Sequence, residues 1–367
     1  MVPRAAAGTG VIRLAWPDLG PEELSAVAEV FESGQLTMGP RVEEFEQELA
    51  RACEVEHALV VSSGTAALHL SVLALGIGPG DEVIVPAYTF PATANVVALA
   101  GAKPVLVDVD AETMNVTAES VASAVTERTK AVLVVHLFGR PAPWEELEEA
   151  VPEGVALLED AAGALGARRQ GRACGGLGRL GCLSFHPRKI VTTGEGGAVT
   201  TNDAELAERV RSLRHHGWSP SDAYDDMPSG AFNYRLSDIL CAVGIPQMRR
   251  LEQLLADRER VAAGYAERLR DLPVLLPSAD EGDRHGWQAY VIQLDRRDEA
   301  MAALRAQGIQ CQIGTYALHR LSAYGDQGSF PGADACFERA LALPFHTALT
   351  DAELDRVAEA LTTVVSE

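Results

Sequence analysis

Between residues 57 and 160, compact apolar runs alternate with stretches of helical periodicity, and this alternation leaves the chain few ways to fold. The runs are HALVV (57–61), DEVIVPAYTF (81–90), KPVLVDVD (103–110), KAVLVVHLFG (130–139) and GVALLEDAAG (154–163). They are compact and mainly apolar rather than apolar at every second residue, as expected of strands covered on both faces of a parallel sheet. Helical patterns separate several of them, among them SSGTAALHLSVLALG (62–76), PATANVVALAGA (91–102) and AESVASAVTE (118–127). Strands that alternate with helices predict an α/β domain built on a largely parallel sheet. Two more helices are expected ahead of it, in PEELSAVAEVFESG (21–34) and RVEEFEQELARAC (41–53).

After about residue 245 the pattern changes. RRLEQLLADRERVAAGYAERLRDL (249–272) reads as a long amphipathic helix able to bridge two domains. WQAYVIQLD (287–295), GIQCQIGTY (308–316) and TDAELDRVAEALTTVV (350–365) then suggest a smaller α+β domain. We therefore expect a large domain over 1–248 and a small one over 249–367, which suits a chain of 367 residues.

The net charge of −21 excludes most partners that need a basic face, nucleic acid and anionic membrane first among them. Any anionic ligand has to be held by local donors against that field. Six cysteines, at 53, 174, 182, 241, 311 and 336, make no CxxC pair and no metal spacing, so free thiols are expected and no metal site. The opening MVPRAAAGTG lacks the apolar core of a signal peptide, and no run approaches the roughly 20 apolar residues of a membrane helix. The expectation is a soluble cytoplasmic protein.

In open α/β sheets, ligands collect beyond the carboxyl ends of the strands. The residues there form a consistent set. Ser63-Gly64-Thr65 stands between a strand and a helix, suited either to an ordinary cap or to a phosphate at the helix amino terminus. Phe90 ends its run as a core residue or as a platform for a flat ligand. Asp160 ends GVALLED and serves as a cap or as a buried carboxylate in need of a cation. SFHPRKIVTTGEGG (184–197) then brings Ser184 and Lys189 ahead of a glycine cluster. Together these residues meet the requirements of pyridoxal 5'-phosphate (PLP): an enclosed lysine for a Schiff base, a carboxylate for the pyridine nitrogen, and donors for the phosphate.

Over nearly its whole length the chain resembles the fold-type-I aminotransferases of the DegT/DnrJ/StrS group, which aminate keto-sugars attached to nucleotides. The matching blocks are LTMGPRVEEFE, SSGTAALHL, GDEVIVPAYTF, EDAAGALGA, SFHPRKIVTTGEGG, FNYRLSDILCAVGIPQMRRLE and LALPFHTALTD. The resemblance implies that Lys189 carries the Schiff base, Asp160 partners the pyridine nitrogen and Phe90 stacks on the ring. It gives Ser63, Gly64, Thr65 and Ser184 to the phosphate. Asn233 would reach the phosphate of a neighbouring subunit, so a homodimer with shared sites is implied. Tyr316 and His319 resemble a region near the sugar, and Arg235 and Arg214-His215-His216 are candidates for substrate phosphates by local charge. The form of ESGQLTMGPRVEEFE resembles members that act at sugar carbon 4. One departure stands out: the group has glutamine or histidine near the phenolic oxygen of the cofactor, where this chain has Gly163. Dehydratase relatives carry histidine at the lysine position; Lys189 points instead to amino transfer, from a donor implied to be L-glutamate.

Other readings use the same residues. A PLP enzyme acting on a small amino acid, or a PLP-binding regulatory protein, would need the same centre. Gly176, Gly178 and Gly181 spell GxGxxG, but the motif runs into the strand-like CLSF instead of opening a helix, so it reads as a loop and not as a dinucleotide site. The adjacent His215 and His216 point different ways and lack a third ligand for a metal.

Overall fold

The computed structural model describes residues 10–219, 227, 230–325 and 327–365. The opening MVPRAAAGT, read above as part of a segment without a signal peptide, lies outside them. The expected strands assemble into one seven-stranded sheet. From one edge to the other its strands are His57–Val61, Gly197–Thr201, Leu180–Ser184, Ala156–Asp160, Thr129–Val135, Glu82–Pro86 and Lys103–Val107. Every neighbouring pair is parallel except the two made by Gly197–Thr201, which runs against both its neighbours. All residues of Glu82–Pro86, Ala156–Asp160 and Gly197–Thr201 are buried, which accounts for the lack of polar alternation in the sequence.

Because six strands point the same way, the turns after His57–Val61, Leu180–Ser184, Ala156–Asp160, Thr129–Val135 and Glu82–Pro86 open on one rim. Two helix starts there are fixed by local chemistry. Ser63 caps the helix Gly64–Ala74, its Oγ accepting from Ala66 N at 3.0 Å. The helix Asp238–Arg249 starts at Ser237 in the same way, and its Asp238 carboxylate accepts from Gly39 N and Arg41 N, tying down the start of the helix Pro40–Cys53.

A second, antiparallel sheet orders Tyr290–Gln293, Ala340–Leu343 and Gln312–Ile313. The long helix Leu251–Leu269 joins the two regions. Leu251, Leu254 and Leu255 pack in the core of the large sheet, whereas Val261, Ala262, Tyr265 and Leu269 pack in a separate cluster around the small one. Ile12 also lies in that second cluster, bridged to Ile309, although it falls within the 1–248 segment. A short antiparallel pairing of Tyr88–Thr89 with Tyr316–Ala317, and a hydrogen bond from Thr315 N to Tyr88 Oη at 3.1 Å, bring the second region to the rim of the first. Among the described residues no helix is long and apolar enough to cross a membrane. All six cysteines are buried free thiols.

Candidate active site

At the rim Ser63, Gly64, Ser184 and Gly197 lie close together, and that closeness depends on missing side chains. A Cβ on Gly64 would lie 2.8 Å from Ser184 Cβ, and one on Gly197 would lie 2.5 Å from the Ser63 carbonyl carbon and 2.7 Å from Gly64 N. Glycine at both positions therefore keeps open a niche lined by the Ser184 hydroxyl and the first N–H groups of the helix Gly64–Ala74, which have no partner within the helix. Thr65 is exposed beside it.

Asp160 ends its strand 6% exposed. Thr93 Oγ1 donates to its Oδ2 at 2.8 Å and Ala162 N to its Oδ1 at 3.2 Å. Burial pushes this carboxyl up from the ordinary aspartate range, while both hydrogen bonds and the charge of Lys189 pull it back. Lys189 sits on a turn folded back after Leu180–Ser184, its N–H donating to His186 O at 2.8 Å. Desolvation pushes its ammonium down to about 8; Asp160 resists that shift, and Arg188 and Arg258 reinforce it. Each charge thus favours the other, and the amine loses its proton near pH 8, well below an ordinary lysine.

The neighbouring Glu159 faces away from Asp160 and explains the glycine-rich motif. Its Oε1 accepts from Leu177 N and Gly178 N at 2.8 Å, and its Oε2 from Gly175 N at 2.6 Å. His136 Nδ1 accepts from Ala142 N, so its Nε2 carries the proton and donates to Glu159 Oε2 at 3.0 Å. GGLGRLG is a nest of N–H groups, but the anion it holds is the chain's own carboxyl group. Gly176 and Gly178 pass too close to the Cys53 and Leu157 carbonyls for any Cβ. His136, Glu159 and Cys174 also cluster closely enough to suggest a metal, yet the hydrogen bonds already use the Glu159 oxygens and both His136 nitrogens. Glu159→Ala would leave three N–H groups, two of them buried, and His136 Nε2 unpaired, so we expect a loss of about 3–5 kcal/mol, read as a lower urea midpoint.

The other expected residues divide. Phe90 is not core: it stands 61% exposed at the rim, edge-on to Tyr316 with ring centroids 6.4 Å apart. His319 is held away from free rotation by Asp334, its Nε2 2.9 Å from Oδ1, while its buried Nδ1 has no partner. Arg235 shares its Nη1 with His215 Nδ1 at 2.6 Å and pairs by backbone with Val61. Arg214 is a correction: it is committed to Glu46 at 2.5 Å and the Val60 carbonyl at 2.8 Å, and so braces the strand His57–Val61 rather than waiting for a ligand. His215 and His216 stack edge-on at 5.6 Å, with His215 already bound to Arg235. Asn233 is exposed, its backbone bridged to His215.

Three contributors escaped the sequence. Thr93 lies one helical turn beyond Phe90, and its Oγ1 orients Asp160. Arg258, on the long helix, is buried and donates to the carbonyls of Trp287, Gln288 and Lys189. Gln288 packs against Gly163: a Cβ there would lie 3.4 Å from Gln288 Cβ, Cγ and Oε1. No local pattern marks these residues, since each acts across a long separation in sequence.

An aldehyde for the lysine, a phosphate for the glycine-lined niche and a protonatable ring nitrogen for Asp160 are the three demands of PLP, and each finds the right chemistry here. The fold and this centre define the class of PLP-dependent transferases. The family model described as "DegT/DnrJ/EryC1/StrS aminotransferase family" matches residues 17–362, and the chain belongs to that family. It is 40% identical over 365 residues to GDP-perosamine synthase of Caulobacter vibrioides, covering 96% of this chain and 98% of that protein. Its fold is similar to the aminotransferase TlmJ from Streptoalloteichus hindustanus, with a TM-score of 0.93, 37% identity, and 97% and 99% of the two chains covered. The PLP form of Spr1654 from Streptococcus pneumoniae matches with a TM-score of 0.93 and 29% identity, over 97% of this chain and 99% of that one. The protein is a PLP-dependent sugar aminotransferase.

Proposed function

We propose that the enzyme moves an amino group from L-glutamate to a nucleotide-linked keto-deoxy sugar at carbon 4, with Lys189 as the covalent anchor of the cofactor. The observation that carries the Lys189 assignment is the pairing of Ala156–Asp160 with Leu180–Ser184, which brings the turn bearing Lys189 to the buried Asp160 carboxyl, each favouring the other's charge. When bound, PLP supplies an aldehyde that bonds to amines and a ring that accepts the electrons released at the adjoining carbon. Ser184 and the N–H groups at Gly64 and Thr65 hold its phosphate, and Phe90 covers a ring face. Asp160, oriented by Thr93 and Ala162, keeps the ring nitrogen protonated. With the cofactor bound, Lys189 Nζ would be the base that takes the proton from the donor's α-carbon and the acid that gives it back. It runs the same transfer backwards for the sugar.

Support for a nucleotide-sugar acceptor comes from the GDP in the name of the Caulobacter relative. Tyr316 and His319 face the sugar in this reading, and Arg235 meets a phosphate. The assembly we propose is a homodimer in which Asn233 reaches the partner's phosphate site. Leu24 and Phe31, at 62% and 60% exposure on one helix, and Met38, at 57%, are apolar surface suited to a second copy.

An absorbance spectrum tests the function directly. The visible band of the PLP-loaded protein is expected to bleach with L-glutamate and to return with a nucleotide-linked 4-keto-6-deoxy sugar. A band indifferent to L-glutamate would remove that donor, and a bleached band that ignores the 4-keto sugar would remove the acceptor.

A further inference from the structure

Gln288 belongs to none of the sequence motifs, yet the backbone delivers it to the rim. Gly286 N donates to Gly139 O at 2.8 Å and Gln288 N to Phe138 O at 3.0 Å. Gly139, at φ +97°, makes the approach possible: a Cβ there would lie 2.9 Å from Trp287 N and 3.0 Å from both Gln288 N and Gly163 O. The Gln288 side chain then lies along Gly163, three residues after Asp160. Its Nε2 points toward Arg188 O at 3.4 Å, next to Lys189. Arg258 ties these parts together through the carbonyls of Gln288 at 3.2 Å and Lys189 at 3.5 Å. A primary amide therefore stands between the turn that follows Asp160 and the turn that carries Lys189.

The connectivity of the cofactor says what that amide can meet, given the PLP reading of the Lys189–Asp160 centre on which this inference rests. On the pyridine ring the aldehyde carbon lies opposite the nitrogen. The phosphate arm occupies the ring position on one side of it and the phenolic oxygen the position on the other. Asp160 and Lys189 set the axis. The phosphate niche lies on the side of the strands Leu180–Ser184 and His57–Val61. The phenolic edge consequently turns toward Thr129–Val135 and the Phe138–Gly139 segment after it, where Gln288 is docked. We propose that Gln288 Nε2 donates a hydrogen bond to the phenolic oxygen of the bound cofactor, in place of a side chain missing at Gly163. The cofactor would then be completed by a residue from the small-sheet region, so that its electronic state depends on how that region is docked.

The test is a pH titration of the visible band of the PLP-loaded protein. A donor to the phenolic oxygen stabilises its negative charge and so weakens proton binding at the adjacent lysine-linked nitrogen. Gln288→Ala should therefore raise the titration midpoint by about one unit, a tenfold gain in proton affinity. PLP should also bind about tenfold more weakly, while the thermal midpoint of the apoprotein stays unchanged. Gln288→Glu, nearly isosteric but unable to donate when ionised, should move the midpoint the same way, which keeps the test decisive if the alanine variant folds poorly. Gly163 has no left-handed φ, so a side chain fits its backbone once the neighbouring space is cleared. The double variant Gly163→Gln/Gln288→Ala should bring the midpoint back. An unchanged midpoint and PLP affinity in the single variants, or a double variant that binds PLP without recovering the midpoint, would overturn the assignment of Gln288. A wild-type protein whose Lys189→Ala variant keeps the same visible band would instead overturn the Lys189 centre.

Discussion

Lys189→Ala abolishes amino transfer in our expectation, by about 10⁴-fold, the upper end for loss of a positioned acid–base group. The fold should survive, because it is the lysine backbone that bonds to His186 and Arg258. Circular dichroism should match the wild type while turnover with L-glutamate and acceptor vanishes; normal turnover would remove Lys189 from the mechanism. The wild-type amine, pushed down to about 8, carries a further prediction. Only the neutral amine attacks an aldehyde, and at pH 8 about half of Lys189 is neutral, against roughly 0.4% for an ordinary lysine. Capture of PLP by the apoprotein should accelerate as pH rises through 8 and then level off. A rate still climbing steeply at pH 10 would show that the ammonium is solvated after all.

Asp160→Ala should retain some cofactor and lose activity by about 10²–10³-fold, the loss typical of removing one preorganised electrostatic group. Two consequences separate this from general damage. The Asp160 charge raises the Lys189 pKa against desolvation and the charges of Arg188 and Arg258. Without it the amine becomes easier to deprotonate, so the midpoint of PLP capture should move below 8. Thr93 Oγ1 and Ala162 N lose their acceptor at the same time. A variant with wild-type turnover would exclude Asp160 from the chemistry, and an unmoved capture midpoint would show that its charge does not reach Lys189.

Much of the fold was legible because burial on both faces leaves a simple trace. Ala156–Asp160 and Glu82–Pro86 stand out as compact, mainly apolar runs, since every residue in them is buried. Gly197–Thr201 was not foreseen as a strand, and with it the reversal of direction inside the sheet went unread. It is short, glycine-led and threonine-ended, and only its ladder to Leu180–Ser184 defines it. The helix Arg297–Ala306 and the strand Ala340–Leu343 were also unremarked as elements, although the latter forms the middle of the small sheet. Phe90 illustrates the opposite difficulty: an aromatic at the end of a buried run is core by default, and only its position past the last paired residue exposes it.

Local order in the chain determined which chemistry was available: a lysine and a carboxylate after consecutive sheet strands, a serine–glycine helix start, and strands too apolar for anything but a covered sheet. Each of these is a short-range property, in which a residue's neighbours set its backbone and its burial. Partnership was decided only in three dimensions. Glu159 takes the glycine-rich loop as its own nest, Arg214 is spent on Glu46, and Gln288 arrives beside Gly163 from 125 residues away along the chain. Hydrogen bonds and charges act through space over a few ångströms, and proximity between distant segments arises from the packing of whole elements rather than from any pattern within one of them.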